Sequence, residues 1–244
     1  MGEARLWGMI DAQPIVFPLV VDHLNAATLL FSAPVEAARS LVPGHLFEVH
    51  EAEPGRAEIT VVIIQYRRGS WGAYNAFNVG VRGRPVGVPA APMGAFVLPS
   101  PVSDRFGCEA AHRALGMPGS VEPIDVSHAP DHVTVSVMPE GRHEVTVRMP
   151  RVARQRPPVR IETVGYSEVE GALQSVRVEF DVPVDLIDPH DVEIELGAGP
   201  LADTLRTLGL PCRPELCTWG ERLSAVFHQA ERVPAPRRAA STSP

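Results

Sequence analysis

Hydrophobic positions along the chain fall mostly into short, β-branched runs rather than at helical spacing. Residues 14–21, 27–32 and 58–66 are rich in Val, Ile and Leu, and runs of this length and branching favour strand over helix. Residues 74–81, 132–139 and 143–150 continue the series. The last two alternate apolar and polar positions, and Glu140, Gly141 and Arg142 between them read as a hairpin connection with glycine at the turn. Further strands are expected over 159–169, 174–182 and 191–196, and the run 222–233 closes the β-structure.

Helical spacing appears in three places. Residues 33–42 carry it up to the stop at Pro43 and Gly44, and 103–117 opens on Ser103 and Asp104 and ends before Pro118 and Gly119. Residues 200–210 begin with Pro200 in the first turn and end near Gly209 and Pro211. Much strand with three short helices predicts an α+β chain, mostly antiparallel β, built as a closed or nearly closed barrel. No internal repeat or linker divides it, so residues 1–232 are expected to form one domain. Residues 233–244, rich in Pro, Ser and Ala, read as a disordered tail.

Charge and composition then narrow the chemistry. All 22 basic side chains are Arg, and 22 minus 29 acidic residues gives a net charge of −7. That balance argues against a nucleic-acid partner. The loose group Arg151, Arg154, Arg156 and Arg160 reads as a solvated connection. Cys108, Cys212 and Cys217 form no paired framework. The nine histidines show no metal-ligand spacing, and Asp188, Pro189, His190 and Asp191 read as a turn. No glycine-rich loop opens a helix after a strand, so neither metal nor nucleotide cofactor is expected. With no apolar run near the roughly 20 residues of a membrane span and no signal-type N-terminus, the expected setting is the cytoplasm. The absence of lysine excludes imine chemistry from a lysine side chain, because guanidinium does not act as an amine nucleophile. The Met1 α-amine is the one amine left.

Four segments in order, residues 40–46, 66–81, 106–120 and 199–210, give the chain a resemblance to the acetoacetate decarboxylase family over roughly residues 15–230. The resemblance implies a closed or cone-shaped β-barrel, self-association and a ligand cavity. In that family a lysine after a Gly-x-Pro turn forms an imine with the substrate, beside a second lysine. Here those positions fall on Gly119 and Ser120. One family glutamate falls on Ala76, a second near Val61, and a carboxylate-binding arginine near Leu24. Each replacement removes a long charged side chain, so the resemblance implies a wider and more apolar cavity. The alternative is that other side chains fill the space.

Several residues are candidates for remaining chemistry or for cavity walls. Tyr74 matches an inward-facing family tyrosine, and its phenol can donate a hydrogen bond to a carbonyl. Asn75 should face the other way. Ser120 and Glu122 follow the Pro118–Gly119 turn, Glu122 acting as acid or base if buried and solvated otherwise. His112 and Arg113 belong either to a cavity mouth or to a helix surface, and Trp71, Met93, Phe96 and Met117 either to cavity walls or to plain core. The expected function is a non-covalent biosynthetic enzyme, a cyclase acting on a bulky hydrophobic, carbonyl-containing or polyketide-like small molecule. Two alternatives are a binding protein for a hydrophobic small molecule, and a dehydratase or hydrolase using Tyr74 and Glu122.

Overall fold

The structure is a computed structural model that describes residues 4–152 and 156–234. The tail expected over 233–244 therefore lies, from residue 235, outside the described residues, as does Met1.

Seven strands close on one another. They are β1 (Leu19–Pro34), β2 (Arg56–Arg68), β3 (Tyr74–Pro85), β4 (Gly94–Val97), β5 (Val159–Val169), β6 (Ala172–Val182) and β7 (Leu216–Phe227). Hydrogen bonding runs from β3 through β4, β5, β6, β7, β1 and β2 back to β3. Every neighbouring pair is antiparallel except β4 with β5. This is the closed, mostly antiparallel barrel that the strand-rich pattern predicts. A separate four-stranded sheet is made by Ile124–His128, His132–Val137, Val145–Pro150 and Glu193–Leu196. An N-terminal hairpin pairs Arg5–Ile10 with Gln13–Phe17.

Local chemistry explains most of the boundaries. The run at 14–21 is divided at Pro18: residues up to Phe17 serve the hairpin, while β1 runs on for 16 residues and absorbs the run at 27–32. Proline has no backbone N–H to give to a ladder. Of the three helices among the described residues, α1 is only Val35–Ser40, and α3 is Pro200–Thr207. The middle helix, α2 (Arg105–Leu115), is capped as its sequence requires. Asp104 Oδ2 accepts from Gly107 N at 2.7 Å, and Gly116 ends the helix at φ +67°, a conformation that suits glycine. Gly141 takes φ +76° in the connection between the two alternating strands.

Side chains alternate across β1, β2 and β3, and this sorts them between two cores. Leu24, Ala26, Ile64, Tyr66 and Tyr74 pack with the hairpin and with Ala110, Ala114 and Leu115 of α2. Leu29, Phe31, Ile63, Phe77 and Val79 pack instead with Val133, Val135 and Val147 of the four-stranded sheet. The helix side and the sheet side of these strands are consequently different environments.

Candidate active site beside the middle helix

The helix side contains a small internal cavity between α2 and the start of β3. The strand register places Tyr66 opposite Tyr74 and Ile64 opposite Ala76. Positions 74, 76 and 78 thus share one face, and Tyr74, Ala76 and Asn78 all line the cavity. Tyr66 and Tyr74 stack with ring centroids 4.3 Å apart and planes 29° apart. Gly107 makes room for this pair, because a Cβ there would lie 3.1 Å from the Tyr74 ring. Trp71 and Met117 close two further sides, and Cys108 faces Gly119.

The cavity measures about 40 Å³. That is enough for a water or two and far too little for a bulky organic molecule. The expectation of a wider cavity is corrected here: the aromatic pair, Trp71 and Met117 occupy the space that lost charged side chains would have left.

Its electrostatics are those of a neutral, donor-bearing site. Burial pushes the Tyr66 phenol up, and burial followed by the proximity of Tyr66 pushes Tyr74 well up. Burial, and secondarily the Asp104 carboxylate, raises the Cys108 thiol. All three groups are therefore protonated at neutral pH, so they donate hydrogen bonds and do not act as bases. Ser100 Oγ is already engaged, donating to Leu98 O at 2.7 Å. Asn78 Nδ2 donates to Val62 O at 3.2 Å. Among the described residues, no carboxylate, histidine or arginine lines the cavity.

The residues anticipated from the sequence divide sharply. Tyr74, Trp71, Ala76, Met117 and Gly119 meet at the cavity. Leu24 lies on the same face, buried opposite Tyr66, without lining it. Val61 does not belong there: it sits on the sheet side, paired with Val79, because a one-residue step along a strand reverses the face. For the same reason Ser120 leaves the site. Gly119–Val121 is a strand paired with Ser100–Val102, so Gly119 points inward and Ser120 outward. Ser120 and Glu122 instead line a surface cleft of about 470 Å³ at the start of α3, apart from Tyr74. The dehydratase or hydrolase pairing of Tyr74 with Glu122 is thus not assembled. His112 and Arg113 are on the exposed surface of α2, where Arg113 pairs with Glu109 at 3.1 Å. Phe96 is sheet-side core, its ring centroid 5.3 Å from that of Phe47, and Met93 lines a surface depression beside Arg84.

Sequence reading missed Tyr66, Asn78, Cys108 and Gly107. Tyr66 had an available signal, since pairing the runs 58–66 and 74–81 as a hairpin across the intervening glycines sets it opposite Tyr74. Asn75, as expected, faces away from Tyr74, its Nδ2 donating to Ile124 O at 2.9 Å.

The sheet side holds a contrasting polar network. Gln65 Oε1 accepts from Asn25 Nδ2 at 2.8 Å and lies 2.9 Å from His128 Nε2. An amide oxygen only accepts, so Nε2 carries the proton there. Arg151 grips Glu221 with two bonds, at 2.6 and 3.0 Å, and Trp219 Nε1 donates to the same carboxylate at 3.2 Å. These bonds, led by that from Arg151, hold the Glu221 carboxyl below its ordinary range, while burial lowers His128.

No protein-family model and no curated protein matches the sequence. Solved structures do match its fold. One is an acetoacetate decarboxylase, with a TM-score of 0.64, 12% identity, and 88% of this chain and 89% of that one covered. Another is the acetoacetate decarboxylase of Legionella pneumophila, with a TM-score of 0.63, 12% identity, and coverage of 89% and 87%. A third is the enduracididine biosynthesis enzyme MppR complexed with pyruvate, with a TM-score of 0.56, 16% identity, and coverage of 88% and 90%. The fold is acetoacetate decarboxylase-like.

Proposed function

We propose that this protein is a biosynthetic enzyme that binds a hydrophobic, carbonyl-bearing small molecule without covalent attachment and promotes ring closure within it. The observation that carries this reading is the lining of the cavity beside α2, which offers neutral phenol donors and no charged side chain. A phenol can polarise a carbonyl oxygen in a water-poor setting. Orientation of two ends of one flexible molecule supplies the rest, up to about 7–11 kcal/mol in ideal cases. A ring closure that moves no proton, such as a cycloaddition, suits a site without a base. The structural neighbours support the choice of a carbonyl compound, since one is named for acetoacetate and another is complexed with pyruvate.

The reading requires the site to open. Tyr66 and Tyr74 line both the inner cavity and an outer depression of about 400 Å³. Parting the stacked rings joins the two spaces into a volume that suits a small-molecule ligand.

The test is incubation with a panel of linear polyene and polyketone carbonyl compounds, followed by separation and mass measurement. The expected product is a cyclic isomer of unchanged mass, formed about 100-fold more slowly by Tyr74→Phe. Ala76→Phe, which fills the inner cavity without touching the outer depression, should abolish turnover. Binding with no turnover of any compound would replace the enzyme by a binding protein, which the lack of a base also favours. Borohydride added with acetoacetate should leave the intact mass unchanged; a reduced adduct on Met1 would restore imine chemistry through the α-amine. Self-association, measured by light scattering at micromolar concentration, belongs to the same proposal.

A further inference from the structure

A second cleft is far larger than the cavity beside α2. It measures about 560 Å³ and lies between the N-terminal hairpin, residues 88–92, the middle of β5 and β6, and the segment after β7. It shares no lining residue with the inner cavity, although the two are back to back: Leu19 and Phe227 line the cavity, while Pro18 and His228 line the cleft.

Its chemistry is opposite to that of the cavity. Arg5, Arg177 and Arg232 all line it, with Glu231 as the acidic member, in a chain whose net charge is −7. Arg177 is fixed from two sides, donating to Glu162 Oε2 at 3.1 Å and lying 3.0 Å from His228 Nδ1. His228 is held in turn by Glu179, 3.0 Å from its Nε2. Nε2–H donating to that carboxylate leaves Nδ1 to accept from Arg177. Arg5 and Arg232 have no hydrogen-bond or ion-pair partner for their guanidinium groups among the described residues. Much of the remaining wall is apolar, with Phe17, Val88, Pro92 and Val164 among its residues, beside the polar Ser175 and Gln229. Tyr166 lies behind this wall, 1% exposed, with its hydroxyl spent on Pro92 O at 2.8 Å, so it offers no free donor.

We infer that this cleft is a binding site for an organic oxyanion with an apolar body, separate from the site beside α2. Guanidinium forks match carboxylate and phosphate oxygens in pairs, and charge-assisted bonds of this kind are the strong ones. The head group is received by Arg5 and Arg232, with Arg177 positioned behind them by its own partners. The body lies on the wall of Val88, Pro92 and Val164, with Phe17 at its base. The cleft volume falls in the ordinary range for a small-molecule site.

Titration calorimetry on the full-length protein tests this with octanoate, octyl phosphate, 1-octanol and inorganic phosphate. An eight-carbon anion should bind at least tenfold tighter than 1-octanol and tighter than inorganic phosphate. The double variant Arg5→Gln, Arg232→Gln should lose at least tenfold in affinity for the anion while keeping its thermal midpoint, because both residues are exposed. Salt at 300 mM should weaken the wild-type interaction and barely affect the variant. The stronger of octanoate and octyl phosphate identifies the head group. Equal binding of octanol, no anion binding, or undiminished affinity in the double variant would each overturn the assignment. Since the test uses neither Tyr74 nor Ala76, its outcome does not depend on the cyclase reading.

Discussion

The two sides of strands β1 to β3 handle buried polarity in opposite ways. On the sheet side, charged and amide groups are partnered: Asn25, Gln65, His128, Glu221 and Arg151 satisfy one another beside a closely packed aliphatic core. On the helix side the polar groups are neutral, and they border empty space. A satisfied ionic network rigidifies its surroundings and leaves little capacity for a ligand. Phenols beside a void keep capacity to spare. The charged network is therefore committed to structure, and the neutral lining is the one on which the proposed function rests.

Truncation should expose this difference most strongly. Phe77→Ala, on the sheet side and almost fully buried, is expected to cost about 3–5 kcal/mol in urea unfolding. Tyr74→Ala, three residues away on the cavity side, should cost no more than about half of that, because it enlarges a space that already exists. Equal losses would break the comparison. Next in size is Gly119→Lys. A Cβ at Gly119 would lie 2.7 Å from Ser100 O, a backbone atom of the paired strand, so the pairing must shift. A loss of about 1–3 kcal/mol is expected, with no carbon dioxide released from acetoacetate.

Acid should weaken the sheet side before the helix side. Burial depresses His128 from its ordinary value of 6.5, and a depressed group stabilises above its unfolded value and loses that contribution as pH falls through the folded one. Glu221, depressed chiefly by its bonds from Arg151, acts in the same direction below the ordinary carboxylate value of 4.5. The urea midpoint should therefore decline from pH 7 to pH 5.5, and His128→Gln should flatten that decline. The smallest effect is expected for Gly107→Ala. A gain in helix propensity of up to about 1 kcal/mol opposes the 3.1 Å contact with the Tyr74 ring, leaving a net loss below about 1 kcal/mol. The displaced ring should nevertheless become more reactive to nitration, as peptide mass mapping would show.

The barrel was legible from alternation and turn residues because local pattern decides strand and helix at sites such as Asp104, Gly116 and Gly141. What failed was register. The resemblance sets Val61 with Ala76 in one cavity, and Gly119 with Ser120 at the two lysine positions of one site, yet each pair is split between two faces. Facing is set by strand pairing across many residues, and an error of one position reverses it. Cavity size was illegible for another reason. Loss of charged residues says nothing about rings such as Tyr66 that arrive from a neighbouring strand to fill the gap.

The stacked pair of Tyr66 and Tyr74 has a further consequence, for time rather than space. Under the proposed function, a molecule in the outer depression would advance only when the rings separate, so its capture rate should rise with concentration at first and then level off at the frequency of ring separation. Stopped-flow traces should show that plateau. Gly107→Ala, by crowding one ring, should change its height without altering the slope at low occupancy by the same factor.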